Sequence, residues 1–269
     1  ATETGLQRFT AERFIIAVGT EPYRPRHIPF DGEAILDPDE ILDLKRLPRS
    51  LSVIGAGVIG IEYATIFSAL DVKVTVIEPS DTLLPFIDRE LVDEFIHEMR
   101  DRGMSLRFQS KVKRVTRPAH DACLIELEDS RQIWSEMVLF AAGRKGATGS
   151  LELENCGLST DDRGKIEVDR ATFRTKLPHI FAVGDVIGFP SLASTSMEQG
   201  RIAACHAFDA PAQTPPEFFP YGIYSVPEMS TIGMTEEQVR QKQIPYECGV
   251  ARFRETARGQ IMGLNAGFM

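Results

Sequence analysis

The sequence predicts an α/β fold built on a parallel sheet, and three observations predict it. A short apolar run at 51–54 leads directly into Gly55-Ala56-Gly57-Val58-Ile59-Gly60. An apolar stretch of helical length follows. A second apolar run at 72–77 then ends on Glu78. Strand, glycine turn, helix and strand within about thirty residues make a βαβ unit, whose crossover forces its two strands parallel.

The other elements follow in order. Residues 14–18, Phe-Ile-Ile-Ala-Val, run into Gly19-Thr20-Glu21-Pro22 and read as a buried strand entering a turn. Residues 23–50 are rich in Pro, Asp and Arg and read as a connector over the surface. Within the βαβ unit, 55–60 reads as a tight turn and 61–70 as the helix. Residues 88–102 place Leu91, Phe95, Ile96 and Met99 on one helical face, with Gly103 as the stop. Beyond it the period falls towards two. Stretches 105–117, 123–129 and 132–140 read as strands, the first two as an inserted β-meander, and the last leads to Gly143-Arg144. A short strand is expected at 166–168 and a buried one at 180–183, ending on Gly184-Asp185, before a helix at 192–208. Residues 211–220 read as a linker, and a new strand set begins near Tyr221. Trp134 is expected to pack in the sheet. Glu236 and Glu237, ahead of Arg240 and Lys242, are expected to line a solvated helix face with i,i+4 pairs.

The composition narrows the function. At 269 residues, 43% hydrophobic and 26% charged, the chain is an ordinary globular one. A net charge of −9 supplies no basic surplus to displace counterions, which argues against a nucleic-acid binder. It leaves room for small anions held by backbone N–H groups. No apolar run is long enough for a membrane span, and the opening residues lack a signal-peptide pattern. Cys123, Cys156, Cys205 and Cys248 are scattered without CxxC spacing, so no metal site is expected, and reduced thiols and a cytoplasmic location are. The five histidines, His27, His97, His120, His179 and His206, are expected at the surface or in packing rather than in catalysis. The chain lacks an initiating Met and stops soon after a new strand set begins, which reads as an excised piece of a longer protein.

The glycine turn carries the chemistry. A lone GxGxxG is weak evidence, but here it follows a strand, opens a helix and precedes a second strand ending in an acid. Gly55 lets the chain turn sharply, Gly57 lets a diphosphate approach the backbone, and Gly60 lets the helix pack closely on the sheet. The helix N-terminus offers free N–H groups and partial positive charge. Glu78 stands at about the spacing of the acid that accepts ribose hydroxyls. Its carboxylate would repel a 2′-phosphate by about 1 kcal/mol in water and about 4 kcal/mol at intermediate dielectric, for charges about 4 Å apart. NAD is therefore expected to bind better than NADP. A second, weaker signal is 181–185, Phe-Ala-Val-Gly-Asp, which puts an acid at the carboxyl end of a strand.

Taken together, residues 14–20, the GxGxxGxE unit ending at Glu62, Ala142-Gly143-Arg144 and 181–185 resemble, in order and spacing, the two-dinucleotide-binding flavoprotein disulfide reductase family. The resemblance spans essentially the whole chain. Residues 188–194, 198–204 and 222–228 are most similar to the family's transhydrogenase branch.

That resemblance implies three-layer, Rossmann-like FAD- and NAD(P)-binding domains, the NAD domain complete and the FAD domain partial. It implies an FAD-dependent oxidoreductase that moves hydride between NADH and NADP(H). The alternatives are a dihydrolipoamide-dehydrogenase-like disulfide reductase or, for this piece alone, a nucleotide-binding module without turnover. The division implied is 1–48 for the end of a first FAD segment with its connector, 49–148 for the NAD(P) domain, 149–212 for a second FAD segment, and 213–269 for the start of an interface domain. Gly19 and Thr20 would lie near FAD, Asp185 would bond its ribityl chain, and Leu192 and Ala193 would line the flavin ring, where Ser-Leu-Ala-Ser replaces the Met-Leu-Ala-His usual in dihydrolipoamide dehydrogenases. Glu62 would project towards the flavin as the catalytic candidate. Gly55, Ala56, Gly57, Val58, Ile59 and Gly60 would hold the nicotinamide dinucleotide, with Val58 bordering the nicotinamide pocket, Gly143 contacting NAD where the unit closes and Val112 near adenine. The family's first βαβ unit and any redox cysteine pair would precede residue 1. Its His–Glu acid–base pair and most of its homo-oligomer contacts would follow Met269.

Overall fold

A continuous apolar run makes both faces of a strand apolar and demands a covering layer on each side, and the sheet that carries the glycine turn has both. The structure is a computed structural model and describes residues 7–212, 218–264 and 266–269. In chain order its first strands are β1 (Phe14–Ile16), β2 (Thr20–Pro22), β3 (Ile35–Leu36) and β4 (Ser50–Ile54). Helix α1 (Val58–Ala69), β5 (Lys73–Ile77), α2 (Arg89–Asp101) and β6 (Ser105–Arg107) follow. Next come β7 (Val112–Ala119), β8 (Ala122–Leu127), β9 (Gln132–Ser135), β10 (Met137–Phe140) and β11 (Arg144–Gly146). The last elements are β12 (Ile180–Ala182), α3 (Ala193–Ala207), β13 (Tyr221–Ile223), β14 (Met229–Thr231), α4 (Glu236–Gln241) and α5 (Ala257–Met262). They form two compact units, one of residues up to Glu21 with Arg144–Phe219, the other of Pro22–Gly143 with Pro220–Met269.

The second unit contains a five-stranded sheet of order β3-β10-β4-β5-β6, with every pairing parallel. Right-handed crossovers put α1 and α2 on one face. The antiparallel meander β7-β8-β9 covers the other. Ile54, Ile77, Val138 and Phe140 of the sheet share a core with Val115, Ile125 and Leu127 of the meander. Val53, one residue before Ile54, faces the helix layer instead, with Cγ1 against Gly60. In the same unit β13 pairs antiparallel with β14. The capped helix α4 carries the expected Glu236–Arg240 pair on its solvated face.

The first unit pairs β1 with β12 in parallel and β2 with β11. Its core gathers Phe173, Phe181, Val186, Ile202 and Ala203.

Several elements depart from the sequence reading. Residues 23–50 are more than a surface connector, because β3 joins the sheet and Ala34, Ile35, Leu36 and Ile41 are buried. Helix α1 begins at Val58, inside the expected turn, with Gly57 as its N-cap. On α2, Val92 is buried beside Phe95, Ile96 and Met99, whereas Leu91 is half-buried. Stretch 105–117 divides at Gln109, which takes a positive φ of 50°; β6 joins the parallel sheet and β7 the meander. Stretch 132–140 divides at Glu136, whose N–H goes to Ser50 Oγ and whose carboxylate takes the Arg49 N–H and the Arg46 guanidinium. Residues 166–168 make one bridge, Thr160 to Ile166, rather than a strand. Trp134 is 57% exposed rather than packed, on the outer face of the meander. Strand β1 is not buried: Phe14 and Ile15 are each 43% exposed, because among the described residues β12 is its one strand partner. Of the expected linker, 213–217 lies outside the described residues.

Candidate functional site

The strand order places a switch point between β4 and β10. From β4 the chain steps to β5 and β6 on one side, while β10 returns on the other, and open α/β sheets bind ligands at the carboxyl ends of such strands. Gly55 sits there with φ +104°, its N–H donating to Ile77 O at 2.9 Å. A Cβ at Gly55 would lie 2.7 Å from Ala141 O and 3.0 Å from Ala142 Cα, so the two strand ends meet backbone to backbone. Gly143, just beyond, has φ +108° and accepts the Tyr23 N–H.

Helix α1 then starts under close contact. A Cβ at Gly60 would lie 2.1 Å from Gly55 O, so only a bare α-carbon lets the helix seat against the turn. Gly57 differs: its virtual Cβ meets nothing within 4 Å and faces open space. As N-cap it makes no side-chain hydrogen bond, and the first turn of α1, with Val58 and Ile59, carries no acidic residue. A helix mouth with uncapped donors, partial positive charge and no acid in its own first turn suits a diphosphate.

Glu78 closes one side. Its Oε2 accepts the Ala56 N–H at 2.7 Å and its Oε1 the Ser80 N–H at 3.0 Å. The turn after β6 is tied to the same place, with Gln109 N–H on Ser80 O and Ser110 N–H on Glu78 O. Val112 opens β7 just beyond that turn, half-buried against the sheet–meander core. The structure thus brings Gly55 to Gly60, Glu78 and Gly143 together around one strand-end crevice. Glu62 lies further along α1, where its Oε1 accepts the Tyr224 N–H at 2.9 Å.

The other unit holds the remaining predicted residues. Gly19, with φ +67°, accepts the Ala147 N–H. Thr20 is gripped by Arg144, whose Nε donates to Oγ1 and Nη2 to the backbone oxygen, both at 2.8 Å. Strand β12 leads into Gly184, whose N–H donates to Gln199 Oε1 at 2.7 Å, and Asp185 sits half-buried in the turn that follows. Leu192 is the N-cap of α3, its carbonyl accepting from Ser196 N–H and from the Thr195 and Ser196 hydroxyls; Ala193 is the exposed first residue. Gln199, Arg144 and Thr65, whose Oγ1 accepts the Val226 N–H at 3.0 Å, escaped the sequence reading as positioning groups. Each acts across a sequence gap that no local pattern marks.

Among the described residues no group of three or more His, Cys, Asp and Glu is placed to hold a metal ion, and no helix is long and apolar enough to cross a membrane. Burial pushes the Cys123 thiol up to about 11.

Comparison with known proteins identifies the family. Residues 1–200 match the family described as pyridine nucleotide-disulphide oxidoreductase, and residues 219–269 match its dimerisation domain. A soluble pyridine nucleotide transhydrogenase of Mycobacterium tuberculosis is 51% identical over 260 residues, 97% of this chain and 55% of that protein. Another of that name, from Salmonella enteritidis, is 43% identical over 263 residues, 97% of this chain and 56% of that protein. The chain therefore spans about half the length of the curated relatives it matches. Among solved structures, the HOCl-induced flavoprotein disulfide reductase of Escherichia coli superimposes with a TM-score of 0.87 at 29% identity, covering 96% of this chain and 59% of that one. LpdA of Mycobacterium tuberculosis gives 0.88 at 28% identity, covering 94% and 55%.

Proposed function

The chain belongs to the pyridine nucleotide-disulphide oxidoreductase family, and from that premise we propose that it carries the nicotinamide-dinucleotide site, and part of the flavin site, of an FAD-dependent soluble transhydrogenase. The activity proposed is hydride transfer between NADH and NADP(H). The observation that carries the reading is the crevice itself, in which an uncapped helix mouth and the open side of Gly57 stand beside the Glu78 carboxylate. Identity of 51% to a transhydrogenase, against 28–29% to the reductase and LpdA structures, supports that branch.

In this reading the diphosphate lies over Gly57 and accepts from the first N–H groups of α1. Glu78 accepts the adenosine ribose hydroxyls while keeping the Ala56 N–H, because a carboxylate has lone pairs for both. Val112 borders adenine, and Val58, Ile59 and Gly143 border the nicotinamide side. Gly19, Thr20, Asp185, Leu192 and Ala193 are assigned to the flavin. Two of them fit such a group from their surroundings: Gly19 has nothing within 4 Å of its virtual Cβ, and Asp185 follows a glycine fixed by Gln199. FAD, when bound, accepts and returns the hydride, and the protein supplies orientation and electrostatics.

The finer assignments share this footing. Segments 1–48 and 149–212 are assigned to the flavin domain, 49–148 to the NAD(P) domain and 213–269 to an interface domain. The match of 219–269 to a dimerisation domain supports a homo-oligomeric parent, and a cytoplasmic location accords with the unpaired cysteines.

Calorimetric titration of the chain with NADH and NADPH tests the core of the proposal. NADH is expected to bind, and more tightly than NADPH. A chain that binds neither would overturn it.

A further inference from the structure

Helix α1 carries two acceptors outside the phosphate cradle. Glu62 Oε1 takes the Tyr224 N–H at 2.9 Å, and Thr65 Oγ1 takes the Val226 N–H at 3.0 Å. Thr65 is fully buried, and its own hydroxyl proton is directed at the Ile61 and Glu62 carbonyls, so a lone pair faces the loop. The two acceptors stand i,i+3 on one helical face, and the two amides stand two apart on a segment running alongside. Ser225, between them, is buried and donates to Pro227 O at 2.7 Å.

The backbone of Tyr224 is thereby fixed from both sides, yet its side chain is 79% exposed. The ring lies over Gly222, with Cζ and the hydroxyl oxygen each 4.0 Å from where a Cβ there would sit. An aromatic ring whose backbone is already ordered loses little further freedom when something stacks on it. Glu62 is four residues past Val58, a rise of about 6 Å along the helix, so the anchor lies close to the phosphate mouth. Glu78 and the 109–110 turn close the adenosine side of the crevice. The Tyr224 side is left to the other half of the dinucleotide.

We propose that Tyr224 is a binding residue for the nicotinamide half, stacking its ring on the pyridine, and that Glu62 and Thr65 are positioning residues that hold it there. The proposal rests on the dinucleotide reading above. A pyridinium is planar, cationic and electron-poor, the partner that a Tyr face attracts.

The test compares NAD+ with ADP-ribose, which shares the adenosine and diphosphate but lacks the pyridine. Tyr224→Leu is expected to raise the Kd for NAD+ about three- to tenfold and leave that for ADP-ribose unchanged, while Tyr224→Phe behaves as the wild type. Thr65→Val is expected to speed hydrogen exchange at the Val226 amide and weaken NAD+ in the same selective way, and Thr65→Ser to restore both. An unchanged Kd for NAD+ in Tyr224→Leu, or an equal loss for both ligands, would overturn the proposal while leaving the dinucleotide site standing. Wild-type chain that bound neither ligand would overturn the dinucleotide reading, and this proposal with it.

Discussion

The carboxylate of Glu78 accepts the N–H of Ala56 at 2.7 Å, so the acid at the end of β5 and the middle of the glycine turn are one hydrogen-bonded piece. Glu78 therefore has two separable effects, one of charge and one of geometry. Glu78→Gln keeps an acceptor but removes the charge. It also turns a donor towards one of the two N–H groups that the carboxylate accepts, so it is expected to narrow the NADH/NADPH preference with a smaller fall in Tm than Glu78→Ala. Glu78→Ala removes the acceptor for Ala56 and Ser80 as well, and should narrow the preference and also cost about 1–3 kcal/mol of stability. Calorimetric Kd ratios and thermal melts separate the two; an unchanged ratio in both variants would remove Glu78 from the ribose.

Gly57 and Gly60 make a second contrast. Gly60→Ala pushes a methyl into Gly55 O, and overpacking of this kind costs about 1–3 kcal/mol, visible as a lower Tm before any ligand is added. Gly57→Ala meets open space at a φ of −73° that alanine accepts. It is expected to melt like the wild type and to bind NADH more weakly. Equal melting of all three proteins would contradict the packing argument.

Burial holds the Cys123 thiol near 11, above the ordinary value of 9.0. The unfolded chain loses this proton first as pH rises. The stabilisation is therefore complete below about pH 9 and is lost as pH climbs through about 11. Cys123→Ala is expected to flatten the fall in stability across that window. At pH 8, iodoacetamide should modify the exposed Cys156 and Cys248 and spare Cys123, as read by mass spectrometry.

Glu136 works in the opposite direction. The Arg49 N–H outweighs burial and, with the Arg46 guanidinium, holds its carboxyl below the usual value of 4.5. Its contribution is present above the ordinary carboxylate range and is lost as pH falls through the lowered value. Glu136→Gln should lower Tm at neutral pH, and the gap from wild type should close in acid. A gap independent of pH would rule out the charge as its source.

The βαβ unit was legible because its evidence is local. Apolar runs of fixed length, a glycine spacing and a strand-end acid all fall within one short stretch, and backbone geometry translates them directly. Residues 23–50 were misread because β3 is only two residues long and gains its place through pairing with β10, about a hundred residues on, which no local period reveals. The break at Glu136 was hidden for a related reason: apolar residues flank Ser135 and Glu136 on both sides, so two polar residues pass for exposed positions of one strand, and the separation of β9 from β10 is imposed by Arg46, Arg49 and Ser50. At the site, glycines and acids announced themselves by type, whereas Thr65 and Gln199 matter through which distant amide they meet. Trp134 and β1 share another cause. Apolar character predicts a wish for burial, but the neighbours decide whether it is met.

The bare α-carbons of the phosphate mouth leave almost nothing there to vary. Gly55 and Gly60 are closed to larger residues by backbone already in contact, and a substituent at Gly57 would fill the ligand's own space. If a dinucleotide lies there as proposed, a shift in cofactor choice would fall to the side chains around the mouth, with Glu78 on the adenosine side and Tyr224 on the other. On that reading the chain would grip the middle of the ligand with backbone alone and leave the adjustable chemistry to its two ends.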